Sequence, residues 1–156
     1  FELAVKAITR AGAALRASRM KNGDVQFKTG YKDLVTYWDK YTEQLLRDEI
    51  LAAFPNDVIV GEEYPPSGVG KLTWYIDPID GTTNFVNQHR NYAISVGCWS
   101  GSEPLFGLVL DVERDTLCWA KPGAGAWRDN TPLHVSGCTD LHDDDTGSTV
   151  HFSGAA

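Results

Sequence analysis

Hydrophobic positions along the chain fall first into a helical rhythm and then into short strand-like runs. Between Phe1 and Met20, the residues Leu3, Ala4, Ala7, Ile8, Ala11, Ala14 and Leu15 recur at three- and four-residue spacing, with Lys6, Arg10 and Arg16 off that face. This predicts an amphipathic helix that starts without a capping residue. Lys21 to Lys32, which includes Lys28, is polar and broken by glycine, and reads as a loop or ragged hairpin around Val25 and Phe27. A second helix is expected after Thr36, carrying Leu45, Leu46, Ile50, Leu51 and Phe54 and stopping at Pro55. Thr36 and Asp39 have capping-box spacing with Asp in place of the usual Glu. Glu43, one turn further on, reads as a surface residue.

Strand-like runs follow at Val58-Ile59-Val60, Leu72 to Ile76, Tyr92 to Trp99, Leu105 to Val112, Thr116 to Ala120 and Ala126-Trp127. The later connections, Ser100-Gly101-Ser102, Glu113-Arg114-Asp115 and Gly123-Ala124-Gly125, are too short for crossovers and imply antiparallel hairpins. The expected fold is therefore α+β, two helices packed on a roughly six-stranded, mostly antiparallel sheet. Gly123-Ala124-Gly125 is turn chemistry, not a nucleotide fingerprint, and His134 has no assigned role. The loop from Tyr64 to Gly70, rich in Pro and Gly, is a candidate mobile flap.

The chemistry concentrates between Trp74 and Phe85. Asp77-Pro78 cannot continue a ladder, since proline has no N–H, so the strand is expected to end at Asp77. Gly81 supplies a joint, and Thr82, Thr83 and Asn84 suit the start of a short helix. Asp77 and Asp80 can converge across that turn, and oxygen-only ligation suits Mg²⁺ or Mn²⁺. The adjoining helix start is an anion site. Metal and anion side by side point to a metal-bound phosphate, hence phosphoryl transfer or hydrolysis; the plain alternative is an Asx-type turn ahead of a capped helix. Glu62 and Glu63 are either a solvated strand edge or, if the strand of Val58 runs parallel to that of Leu72, acids brought level with Asp77. Asp39, in the first turn of its helix, reads as an acid tied to its own helix start.

Composition narrows the partners. A chain of 156 residues, 42% hydrophobic and 22% charged, is ordinary for one globular domain. Its 14 basic and 21 acidic residues give a formal charge of −7, which argues against nucleic acid and anionic membrane, so a bound phosphate must be met by metal and backbone dipoles. Cys98, Cys118 and Cys138 form no CxxC pair, indicating neither a zinc site nor a disulfide framework and fitting a reducing cytoplasm. No apolar run approaches the roughly 20 residues of a membrane span and no signal-peptide layout is present, so the expectation is a soluble, cytoplasmic protein. His142, Asp143-Asp144-Asp145 and His151 lie in a Gly/Ser/Thr-rich tail and read as solvated more readily than as a metal cluster.

The stretch Asp77-Pro78-Ile79-Asp80-Gly81-Thr82-Thr83-Asn84-Phe85 resembles the signature of the inositol monophosphatase family. Asp33-Leu34-Val35-Thr36 followed by Asp39 and Glu43, and then Gly61-Glu62-Glu63, match two further pieces of its pattern in the same order. The resemblance implies Mg²⁺-dependent hydrolysis of a small phosphate monoester such as inositol monophosphate, with Mn²⁺ or Ca²⁺ able to substitute in binding. It implies metal ligation by Glu62, Asp77, Asp80 and the Ile79 carbonyl, with Glu63 behind them. Thr82, backed by Asp39, would aim the attacking water, which with Glu62 makes the catalytic set. Gly81, Thr82 and Thr83 would hold phosphate. It also implies a homodimer.

Residues 1–140 are thus expected to form the metal- and phosphate-binding α+β domain, the N-terminal half of the family's layered fold. Residues 141–156 would be a tail leading toward a second α/β domain, absent from this chain, whose Asp completes the metal site. Such a chain alone is expected to be weakly active or inactive. Thr83 and Asn84 match the inositol phosphatase branch, while Asn87 and Gln88-His89-Arg90 depart from the family pattern and leave the substrate open. Histidinol-phosphate, nucleotide bisphosphate and fructose bisphosphate phosphatases are the alternatives within the family. A truncated, non-catalytic metal- or partner-binding module is the alternative outside it.

Overall fold

The computed structural model describes residues 1–18, 25–27 and 34–136. Helix α1, Glu2–Arg16, starts at Phe1 with no side-chain cap and buries Ala4, Ala7, Ile8, Ala11 and Leu15, the stripe its spacing predicts. The strands β1 (Val25–Phe27) and β2 (Leu34–Thr36) pair antiparallel as a small separate ribbon. Helix α2, Tyr37–Ala53, follows directly and turns Leu46 and Ile50 inward.

The main sheet holds β3 (Val58–Val60), β4 (Leu72–Asp80), β5 (Ala93–Ser100), β6 (Glu103–Asp111), β7 (Thr116–Lys121), β8 (Gly125–Arg128) and β9 (Thr131–Leu133). Their spatial order is their order in sequence; β3 and β4 are parallel and every later pair is antiparallel. From β5 to β9 short hairpins explain that order, since each strand can pair only with the neighbour its turn delivers. Along β5 and β6, Ile94, Val96 and Cys98 alternate with half-buried positions, and Phe106, Leu108 and Leu110 do the same. This period-two face packs under α1 and α2 and forms one core with Trp74, Ile76 and Ile79. A one-residue register slip would carry the whole set to the other face, so the core also fixes the register.

The sheet has one strand more than expected, β9, which the Pro132 in its middle disguised; Pro132 lies on the last, edge strand, where a missing N–H is tolerated. A third helix, α3, runs Thr82–Gln88. No helix of the described residues is long and apolar enough to cross a membrane. Lys28, Asp33, Cys138 and the tail with His142, Asp143-Asp144-Asp145 and His151 lie outside the described residues.

Candidate active site

The site is set by where two parallel strands stop. β3 ends at Val60, paired with Tyr75, so Glu62 two residues on comes level with Asp77, two residues past Tyr75. β4 does not end at Asp77 as expected from Pro78. It continues to Asp80, with Asp77 opposite Ser95 and Asp80 opposite Ala93, three steps on one strand against two on the other. That bulge places one unpaired residue in β4, and β3 has already ended alongside, so the open edge accepts a residue without an N–H. The bulge buries Pro78 and Ile79 and sends Asp80 outward.

Asp77 is half-buried, and its Oδ1 lies away from solvent with no hydrogen-bond partner. Burial pushes its carboxyl up to about 6; the charges of Glu62, Asp80 and, less strongly, Asp39 push the same way, while a bond from the Ile79 N–H pulls against them. An acid that is desolvated and surrounded by other acids favours any cation that arrives.

Asp39, 2% exposed in the first turn of α2, meets the same place from the other side. The Thr82 hydroxyl lies 3.0 Å from Asp39 Oδ1 and 3.0 Å from the Ile79 carbonyl oxygen, and its one hydrogen serves either acceptor. Thr82 therefore does not cap α3, which has no side-chain cap. Gly81 precedes it at φ 89°, and a Cβ there would stand 3.0 Å from the Asn91 carbonyl, which is why glycine is needed at this turn. Asn84 donates to that same carbonyl at 3.1 Å. Helix geometry leaves the N–H groups of Thr82 and exposed Thr83 without intrahelical acceptors. A cleft of about 370 Å³ borders Asp80, Gly81, Asn84, Asn91 and Asp111.

Glu43 is not a surface residue. It is fully buried, with its Oε1 accepting from Arg47 Nε at 2.8 Å and from the Tyr64 N–H at 3.3 Å, and its Oε2 from the Glu63 N–H at 2.6 Å. Arg47 reaches on to Ser67 Oγ at 3.0 Å and to the carbonyls of Tyr64 and Pro65, both at 3.2 Å. Ser67 in turn exchanges two backbone bonds with Ile59, and Val69 and Gly70 both donate to Asn56. The segment read as a mobile flap is thus fastened along its length. The spacing Asp39, Glu43, Arg47, each one turn after the last and interleaved with Leu46 and Ile50, is the signal that could have placed Glu43 and Arg47 inside.

The donors around Asp77 are all oxygens, the set a hard divalent cation prefers, and the orphaned Asp77 oxygen is the kind of atom such an ion would satisfy. Among the described residues, however, no group of three or more His, Cys, Asp or Glu side chains is drawn together as a ready cage. Mutual repulsion between carboxylates is reason enough for that spread.

Helices lie on a mixed sheet, and Glu62, Asp77 and Asp80 come where its two parallel strands end, beside a glycine-led helix start. The chain belongs to the inositol monophosphatase family, whose model matches residues 1–155. It is 42% identical over 135 residues to the inositol-1-monophosphatase of Bacillus subtilis, covering 85% of this chain and 51% of that protein. Inositol monophosphate-bound SaIMPase-II superposes with a TM-score of 0.74 at 36% identity, covering 90% of this chain and 51% of that one. An IMPase/NADP phosphatase complexed with Mg²⁺ and phosphate gives a TM-score of 0.73 at 26% identity, covering 85% and 50%. The chain spans about half the length of the curated relatives it matches.

Proposed function

We propose that these residues form the metal- and phosphate-binding half of a Mg²⁺-dependent phosphatase for small phosphate monoesters of polyols, inositol monophosphate foremost. The observation that carries this reading is Asp77: an acid with one buried, unpartnered oxygen, ringed by Glu62, Asp80 and Asp39 and adjoining the Thr82–Asp39 hydrogen bond. A relative solved with inositol monophosphate and another solved with Mg²⁺ and phosphate support the choice of ligand and ion.

Glu62, Asp77, Asp80 and the Ile79 carbonyl would hold the cation, with Glu63 behind them. A bound divalent ion supplies Lewis acidity, which lowers the pKa of water and offsets charge on the phosphate. The chain's own residues do the rest. When the Thr82 hydroxyl donates to Asp39, its lone pairs are free to accept a hydrogen bond from the attacking water and so aim it, and the Ile79 carbonyl is released from Thr82. Asp39, buried at the start of α2, accepts from that hydroxyl and so would hold it in the orientation that accepts from the water. The N–H groups of Gly81, Thr82 and Thr83 would face the phosphate oxygens.

Phosphate release from inositol 1-phosphate is the test, run on a form of this chain joined to a C-terminal half like its relatives'. Turnover that needs Mg²⁺, stops with EDTA and is lost in Asp77→Asn is the expected result. Turnover indifferent to EDTA would overturn the metal-dependent reading. For the 156 residues alone we expect binding of one cation and hydrolysis near background, because the second carboxylate-poor site would hold its ion weakly beside the first.

A further inference from the structure

We propose that the buried Glu43–Arg47 pair is a positioning device that fixes Glu62 at the height of Asp77; this rests on the cation-site reading above. Glu43 grips the backbone on both sides of Glu62. Before it, a Cβ on Gly61 would lie 2.0 Å from Glu43 Oε1, 2.2 Å from Cδ and 2.6 Å from Oε2, so the carboxylate lies flat against the Gly61 Cα. After it, the N–H groups of Glu63 and Tyr64 donate to the same carboxylate at 2.6 and 3.3 Å. Residues 61, 63 and 64 are held by one side chain, and Glu62 stands between them.

Arg47 completes the clamp. Its guanidinium bonds Ser67, Tyr64 and Pro65, and Ser67 returns to β3 through Ile59 at 2.8 and 3.1 Å. The strand end that carries Glu62 is therefore closed into a ring whose two charged members sit on α2. Asp39, which meets Thr82, lies one turn before Glu43 on the same helix, and Arg47 one turn after. The rigid rise of one helix thereby sets the spacing between Glu62 and Thr82, residues that come from different strand ends.

A purely stabilising role accounts for this less well. The two side chains are 6% and 0% exposed, and a buried ion pair recovers little more than its own desolvation cost; apolar residues of the same volume are often as stable. What apolar residues cannot supply is an acceptor for the Glu63 and Tyr64 amides, and hence the placement of Glu62.

That difference gives the experiment. In the double variant Glu43→Met/Arg47→Leu both charges leave together, so the fold is kept while the grip on residues 61–64 is lost. Mn²⁺ binding to the chain is followed by the loss of free-ion electron paramagnetic resonance signal, and amide exchange at Glu63 and Tyr64 by NMR. The expected result is Mn²⁺ affinity lowered about 10–100-fold, the usual effect of removing a group behind a metal ligand, with faster exchange of both amides. Glu43→Gln, which keeps one acceptor oxygen, should lie between wild type and the double variant and serves if the latter fails to fold. Unchanged Mn²⁺ affinity in the variants, beside a wild type that binds, would overturn the positioning role and leave the cation site standing. No Mn²⁺ binding by wild type would overturn the cation site itself, and the inference with it.

Discussion

Replacing Asp77 by Asn should make the metal-free protein more stable, while removing its response to divalent cations. The Asp77 carboxyl is pushed from its ordinary 3.8 to about 6 by burial and by Glu62 and Asp80. The folded state thus holds this proton more tightly than the unfolded chain does. Its contribution to stability is full below pH 3.8, falls as pH rises through 6, and above that the ionised group is a net cost. The whole shift corresponds to about 3 kcal/mol, and since the side chain is half open to water, screening reduces this to about 1–2 kcal/mol. Asparagine keeps an oxygen for the Ile79 N–H and presents an amide that Glu62 or Asp80 can accept from. At pH 7.5 in EDTA the variant should therefore melt about 2–8 °C higher than wild type. The wild-type minus variant difference in unfolding free energy should slope between pH 4 and 6. With Mg²⁺ at ten times its Kd, wild type should gain about 1.4 kcal/mol and Asp77→Asn almost nothing. Urea unfolding at a series of pH values, with and without Mg²⁺, measures all of this. A variant less stable than wild type in EDTA at pH 7.5, or a flat difference curve, would refute the reasoning about Asp77.

Asp39→Asn should cost about 0.5–2 kcal/mol if Asp39 only ties down a helix start; acting through Thr82, it should instead lower kcat of the chain joined to a C-terminal half about 10²–10⁴-fold at saturating Mg²⁺, and a fully active variant would defeat that role. Gly61→Ala would drive its Cβ to 2.0 Å from the Glu43 carboxylate; it should destabilise by roughly 1–3 kcal/mol, a loss that shrinks when Glu43 is already truncated to Ala, as a double-mutant cycle in urea would read. Trp74→Phe removes the indole N–H that donates to Asp57 at 2.9 Å and leaves a buried acceptor unmet; denaturant unfolding should show a loss of about 1–3 kcal/mol beyond any change in packing, and an unchanged midpoint would refute it.

Periodicity carried most of the fold. The α1 stripe and the alternation along β5 and β6 were legible because burial on one face forces apolar residues to recur at the period of the backbone. Rules about single residues did less well where neighbours override them. Pro78 by itself signals the end of a strand, but a bulge on an edge that β3 no longer covers lets β4 run on to Asp80. Pro132 hid β9 for a related reason. A lone Glu43 reads as solvated because carboxylates usually are; its burial depends on Arg47 four residues on and also on Gly61 and the amides after it, which no window on the helix shows. The acids of the site stood out by their spacing around Pro78 and Gly81. The meeting of Asp39 with Thr82 did not, since the two are 43 residues apart and only the family resemblance suggested that they touch.

Glu62, Asp77, Asp80 and the Ile79 carbonyl, at the ends of β3 and β4, would make a divalent-cation site. Anomalous diffraction from crystals of the chain soaked in Mn²⁺ tests it most directly, because the signal reports the ion's position independently of any assumed ligand. A peak bounded by those residues is expected, within about 2.0–2.6 Å of the ligating oxygens, and it should disappear in Asp77→Asn. Ordered Mn²⁺ elsewhere on the molecule with nothing between Glu62, Asp77 and Asp80 would contradict it.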